Sequence, residues 1–252
     1  EPEELQKIKV WRVTDIGTIS LLCDKFKDSK IYIADGHHRY EAGLRYISNV
    51  RSTREIGFNE SINYRMIQLI SMSEPGLITR SYHRYIKLNK SEIDNYSQKI
   101  LSDKNTFKYE ADLSILNYTN LEKYYKFICD YKDFDSNSFG IIIKEGENLK
   151  TLIYSQTNTS KNNNDYTFLH ERYFQENLEL IKEENILFET DLNEIINLLN
   201  REENLIILLM KPIPMENFLS AVDSGYRLPP KVTNFLPKPP AGLVFQTLEG
   251  DI

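Results

Sequence analysis

The chain has 252 residues, 40% of them hydrophobic and 27% charged, with a formal net charge of -6. That length and apolar share can bury a sizeable core as one large or two modest domains, and the acidic balance, with no basic tract interleaved with aromatics, argues against a nucleic-acid partner. No apolar run approaches the roughly 20 residues that span a bilayer and no signal peptide is visible, so the expected setting is cytoplasmic with no membrane partner; Cys23 and Cys129, without Cys-x-x-Cys spacing, read as reduced packing residues.

In chain order, Trp11-Arg12-Val13 reads as a short strand and 18–26 as a helix with Leu21, Leu22 and Phe26 on one face. Lys30-Ile31-Tyr32-Ile33-Ala34 reads as a buried strand, Asp35-Gly36 as a turn, and the segment from Glu41 to Ile47 as a helix by its apolar spacing. A further strand is expected over 64–71. Ser91 with Asp94, and Thr119 with Glu122, have the spacing of capping boxes at the starts of two helices, the second carrying the stripe Leu121, Tyr124, Tyr125, Ile128 and Tyr131. Phe139-Gly140-Ile141-Ile142-Ile143 and 149–154 flank Glu145-Gly146-Glu147-Asn148 and predict a hairpin. The polar stretch 155–164 is expected to be a mobile loop. After it come a helix over 168–181, a strand at 186–188, a helix over 192–199, an apolar strand over 204–210 and a helix over 215–222. The alternation predicts an α/β (α+β) fold, a mixed sheet with flanking helices. A core over 1–154 holds the Asp-Gly-His-His-Arg turn, and an α/β portion over 165–252 packs on it.

Chemistry concentrates at Asp35-Gly36-His37-His38-Arg39. At a strand-to-helix junction the backbone N–H groups of His37, His38 and Arg39 lie at the positive end of the helix macrodipole, where a guanidinium adds to the attraction for phosphate or carboxylate. The competing reading is that Asp35 caps, Gly36 turns and the histidines are solvated. Against it, two of only four histidines fall together at the one junction that also carries Asp, Gly and Arg. For metals, no short-spaced set of His, Cys or acidic residues matches a structural zinc pattern. Mg2+ held by phosphates and one carboxylate, Asp35 or Glu41, suits the motif better than a cage built from protein ligands. His170 sits in an amphipathic segment and reads as structural.

Asp35-Gly36-His37-His38-Arg39-Tyr40-Glu41-Ala42 resembles the hallmark of the bacterial and archaeal family labelled domain of unknown function 1015. Glu74-Pro75-Gly76-Leu77, running on to His83-Arg84, is similar to that family's Pro-Gly-Leu segment. The tail from Asp223-Ser224-Gly225-Tyr226-Arg227-Leu228-Pro229 through Lys231, Thr233, Phe235 and Pro237-Lys238 to Gly242-Leu243-Val244 resembles its C-terminal signature. The departures are Val232 for serine, Leu228 for methionine and Tyr82 for a small hydroxyl residue. Family members usually extend further at the N-terminus, so a fragment or shortened form is expected.

The Gly-His-His-Arg-Tyr element also looks like the phosphate-binding turn of the ParB and sulfiredoxin superfamily, and the fold implied is such a core with a family-specific C-terminal extension. By that likeness, nucleotide phosphates lie against Gly36, His37, His38 and Arg39. The position of the sulfiredoxin cysteine is His37 here, so repair of sulfinic acids is not expected. The free serine kinase branch stands nearest. The resemblance further implies that His83 and Arg84 join the site, Arg84 gripping phosphate or carboxylate and His83 orienting it or moving a proton. Lys231, Thr233 and Lys238, on a proline-stiffened tail, would close over an anionic ligand, with a rigid surface wrap as the equal alternative. The function implied is nucleotide or phosphate binding, extending to phosphotransfer onto a small hydroxy amino acid such as serine with Mg2+ and ATP or ADP. Asp35, Glu41 and His38 are the candidate catalytic groups and Asp35 the metal ligand. The alternative is a regulatory module that binds nucleotide or metabolite without turnover.

Overall fold

A computed structural model describes residues 8–109, 117–131, 136–157, 164–179, 181–226, 228–240 and 242–251. The chain parts into two units, Glu1–Arg54 and Glu55–Ile252, each taken by itself below.

In the first unit Asp15 caps α1 (Ile16–Phe26): its Oδ2 accepts from the hydroxyl and the backbone N–H of Thr18, both at 2.7 Å, and these bonds hold its carboxyl below the usual carboxylate range. The second helix, α2 (His37–Arg51), begins directly after Gly36. The strands expected at 11–13 and 30–34 do not form; both segments are irregular. A strand exists only against a neighbour, and Ile31 and Ile33 remain 53% and 43% exposed, so their apolar pattern expresses a preference for burial that the described residues of this unit do not meet. Cys23, expected to pack, is exposed.

The second unit holds β1 (Ile78–Arg80), β2 (His83–Lys87), α3 (Lys90–Ser102), β3 (Thr106–Lys108), α4 (Tyr118–Asp130), β4 (Ser136–Glu145) and β5 (Asn148–Thr157). Next come α5 (Asp165–Phe168), a π-helical turn (Leu169–Tyr173) and α6 (Phe174–Asn177), running without a break, then β6 (Leu187–Glu189), α7 (Leu192–Arg201), β7 (Asn204–Leu209), α8 (Met215–Asp223) and β8 (Asn234–Leu236). The main sheet has the order β3-β5-β4-β7-β2-β6, and β1 pairs with β8 in a separate ribbon. The α+β class is as expected, but where a mixed sheet was expected every described pairing is antiparallel. Strands from both sides of 155–164 share this sheet; 158–163 themselves lie outside the described residues.

The hairpin forms as predicted: β4 and β5 pair from Glu145↔Asn148 outward, and Gly146 makes the reversal at a φ of 58° that an L side chain resists. Ile141, Ile143, Leu152, Tyr154, Ile206 and Leu208 join one core cluster with α3, α5 and α6. Their neighbours Ile142, Ile153, Leu205, Ile207 and Leu209 join a second with α4 and α7. Helices thus cover both faces of the sheet, and because successive strand residues point to opposite faces, the central strands read as unbroken apolar runs. The tail returns to the first cluster through Val232 and Phe235.

Two further expectations change. Residues 64–71 form no strand; Met66 and Ile67 are 55% and 60% exposed. Both predicted caps shift by two residues. Asn89 closes the capping box of α3, its Oδ1 accepting from Glu92 N at 3.0 Å while Glu92 Oε2 accepts from Asn89 N at 2.8 Å, and Asn117 caps α4 by accepting from Asn120 N at 2.9 Å. Overlapping patterns compete at each start; asparagine is a stronger cap than Thr119 and equal to Ser91, and at α3 the complete capping box with Glu92 decides for Asn89.

Candidate functional site

The turn of the first unit is built as its residues suggest. Gly36 adopts φ 85°, open to glycine alone at little cost, and so lets the chain enter α2 with no side-chain cap. The first helical bond runs from Tyr40 N to Gly36 O at 2.9 Å, so the N–H groups of His37, His38 and Arg39 precede the ladder and point out of the helix end. Asp35 Oδ1 accepts from Gly36 N at 2.9 Å. Arg39 folds back toward this corner: its Nη2 lies 3.8 Å from Asp35 Oδ2, and a Cβ added at Gly36 would meet that same Nη2 at 3.0 Å. Glu41 Oε2 sits 3.8 Å from His38 Nδ1 and 3.8 Å from Arg45 Nη2. His37, His38, Arg39 and Glu41 are all exposed. The corner therefore presents three N–H groups, two imidazoles and a guanidinium to solvent, with Asp35 and Glu41 each beside a cation.

In the second unit His83 and Arg84 lie in β2, both buried. Adjacent strand residues face opposite ways, so the sheet separates them and His83 does not orient Arg84. His83 turns to α4: its ring meets Tyr125 edge-on at 5.0 Å and its Nδ1 accepts from Met210 N at 3.2 Å. Burial first, and the Arg84 charge second, push its pKa down to about 3. Arg84 turns to the other face. Its guanidinium lies 4.7 Å from the Tyr166 ring centroid and 5.2 Å from that of Phe188. Nη1 donates to the Tyr82 carbonyl, Nη2 to the Pro230 carbonyl at 3.0 Å, and Nη2 also approaches His170 Nε2 at 3.4 Å. Its Nε has no hydrogen-bond partner among the described residues. Burial lowers the Arg84 pKa to about 10, which leaves it charged at neutral pH.

Of the tail residues, Pro230 and Lys231 lie beside this second group. Lys231, with φ 56°, places Nζ 5.2 Å from the Tyr82 ring centroid. Thr233 is half-buried before β8 and Lys238 is exposed beyond it. Arg227, the remaining cation of the tail signature, lies outside the described residues. The residue that sequence reasoning undervalued is His170: the π-helical turn carries it to Arg84, and burial first and the Arg84 charge second lower its pKa to about 4. Nothing in its local sequence signals this, because the contact joins residues 86 positions apart.

Among the described residues no three His, Cys, Asp or Glu side chains gather where they could hold a metal ion. A cavity of about 220 Å³ lined by Lys87, Ser91, Glu92, Asn95, Tyr96 and Asn185, among others, includes none of the candidate residues. No described helix is long and apolar enough to cross a membrane. A family model described as "Protein of unknown function (DUF1015)" matches residues 3–169. No curated protein and no solved structure matches the chain.

Proposed function

The chain belongs to the DUF1015 family, and from its own residues we propose that it binds the phosphates of a nucleotide at the Gly36–Arg39 turn. The observation that carries this reading is the uncapped N-terminus of the 15-residue helix α2, with the Arg39 guanidinium folded over the same corner. The N–H groups of His37, His38 and Arg39 hold phosphate oxygens, and Arg39 adds charge-assisted bonds. The likeness of this turn to those of the ParB and sulfiredoxin superfamily supports the assignment.

The proposed reaction is phosphotransfer from ATP to a small hydroxy amino acid such as serine. Asp35 and Glu41 are the only carboxylates of the motif, and a single carboxylate beside bound phosphates is a suitable donor set for Mg2+, which supplies charge neutralisation. Asp35 would hold it; Glu41 is the candidate base, and His38, 3.8 Å from it, would share the acceptor proton. A non-catalytic nucleotide or metabolite sensor is the second reading. It is favoured by the positions of Asp35, 3.8 Å from Arg39, and of Glu41, 3.8 Å from Arg45, which turn both carboxylates toward side chains of the motif's own helix.

Calorimetric titration of the chain with ATP and ADP in the presence of Mg2+, followed by product analysis with serine, tests both readings. Arg39→Ala is expected to weaken nucleotide binding by about 1.5–3 kcal/mol, the range for a charge-assisted hydrogen bond. Unchanged affinity in the folded variant removes the turn from the site. Binding without a phosphorylated product across serine, threonine, homoserine and glycerate leaves the sensor.

A further inference from the structure

Arg84 carries a charge that the described residues of the second unit do not balance. A guanidinium with no exposed surface sits against Tyr166 and Phe188, and among the described residues it forms no ion pair with a carboxylate. Transferring such a charge from water without a counter-charge is costly, and two aromatic faces and two carbonyls offset only part of it. The carboxylates next in sequence to its contacts Tyr166 and His170 have partners of their own: Asp165 lies 3.2 Å from Lys211 Nζ, and Glu171 Oε1 accepts from the Tyr226 hydroxyl at 2.5 Å.

Two backbone irregularities converge on the same place. The π-helical turn Leu169–Tyr173 carries His170 to within 3.4 Å of Arg84 Nη2. Pro230, whose carbonyl accepts from the same Nη2 at 3.0 Å, is followed by Lys231 at φ 56°, a conformation that costs a side chain about 1 kcal/mol or more. Both features commonly mark functional positions. Chemistry also sets the His170 tautomer. A guanidinium cannot accept a hydrogen bond, so Nε2 offers Arg84 its lone pair and the ring proton resides on Nδ1.

We infer that the second unit carries an oxyanion-binding site of its own, where Lys231 and the Nδ1–H of His170 hold a phosphate or carboxylate group and the buried Arg84 supplies the balancing charge. Lys231 is exposed and His170 partly so, which leaves both open to a ligand. Arg84 acts through His170 as a positioning and charge-supplying residue. The inference does not rest on the Gly36–Arg39 turn.

The test uses inorganic phosphate and acetate as probes of the full chain, read by thermal shift and by the His170 imidazole C–H resonances, which are assigned by their loss in His170→Gln. Saturable stabilisation with movement of those resonances is expected. Stronger binding of phosphate identifies the phosphoryl class, and equal or stronger binding of acetate the carboxylate class. Lys231→Gly separates binding from folding. Glycine accepts φ 56° without strain, so the variant melts no lower than the parent without ligand, yet binds the preferred ion about ten-fold or more weakly. Absence of saturable binding, or equal affinity in Lys231→Gly, overturns the inference. Loss of ion binding in Arg39→Ala with retention in Lys231→Gly also overturns it while leaving the first-unit turn intact. The reverse pattern upholds this site whatever becomes of nucleotide binding.

Discussion

Gly140 in β4 governs how closely α4 approaches the sheet. A Cβ there would stand 2.1 Å from Ile128 Cδ1 and 3.0 Å from Tyr124 Oη, whose single proton is shared between the Ile141 and Leu152 carbonyls. Glycine in a strand interior ordinarily weakens it, and here close helix packing supplies the reason for its presence. Gly140→Ala is expected to lower stability by about 1–3 kcal/mol as an overpacking change. Its cost and that of Ile128→Ala should sum to more than the double variant loses, because the deletion empties the space the new methyl needs; equilibrium urea unfolding of the four chains measures this, and additive costs refute the clash. The Phe139-Gly140-Ile141 stretch is legible as a strand. That Gly140 meets α4 is not, since it depends on where Ile128 falls when the helix docks.

Among the elements, α3 is legible from its cap spacing and α4 from its cap spacing and apolar stripe, and both start two residues earlier than Ser91 and Thr119 indicate because Asn89 and Asn117 accept the first-turn N–H groups. Asn89→Ala removes the acceptor of Glu92 N and is expected to destabilise the second unit by about 1 kcal/mol. Ser91→Ala loses only a hydroxyl donating to Asn89 Oδ1 at 2.9 Å and should cost a few tenths at most. Thermal unfolding followed by circular dichroism compares the two, and equal costs refute the capping assignment. The strands at 30–34 and 64–71 failed for a different reason. Their residues are strand-forming, but a strand requires backbone partners and a covered face that local sequence does not encode. The His83-Arg84 motif was legible as a pair. Its placement inside β2, with one residue on each face, follows from the strand period, but that the segment pairs as a strand depends on β6 and β7, which lie about 100 or more residues further along the chain.

Across the whole molecule, the two histidines nearest Arg84 make stability depend on pH. Burial and the Arg84 charge depress the pKa of His83 to about 3 and of His170 to about 4, below the ordinary 6.5. A group depressed on folding contributes stability that is complete above its unfolded pKa and declines as pH falls through 6.5 toward the folded values, because the unfolded chain takes up protons first. Asp165, raised chiefly by burial despite Lys211, acts with the opposite sign at lower pH. The urea midpoint is therefore expected to fall between pH 7.5 and pH 5.5. In His83→Asn, whose Oδ1 keeps an acceptor at the place of Nδ1 for Met210 N but does not titrate, the midpoint should be lower at pH 7.5 and its decline shallower; an unchanged slope refutes the assignment. By itself the sequence determined the α+β class, the β4–β5 hairpin, most helices and the Asp35–Arg39 turn, because periodicity, turn chemistry and capping act over a few neighbouring residues. Only the tertiary structure decided the antiparallel order of the sheet, the burial of Arg84 with no carboxylate paired to it among the described residues, and the meeting of His170, Pro230 and Arg84. Those depend on contacts between residues 86 and 146 positions apart, and chain closure over such distances is set by the packing of whole elements.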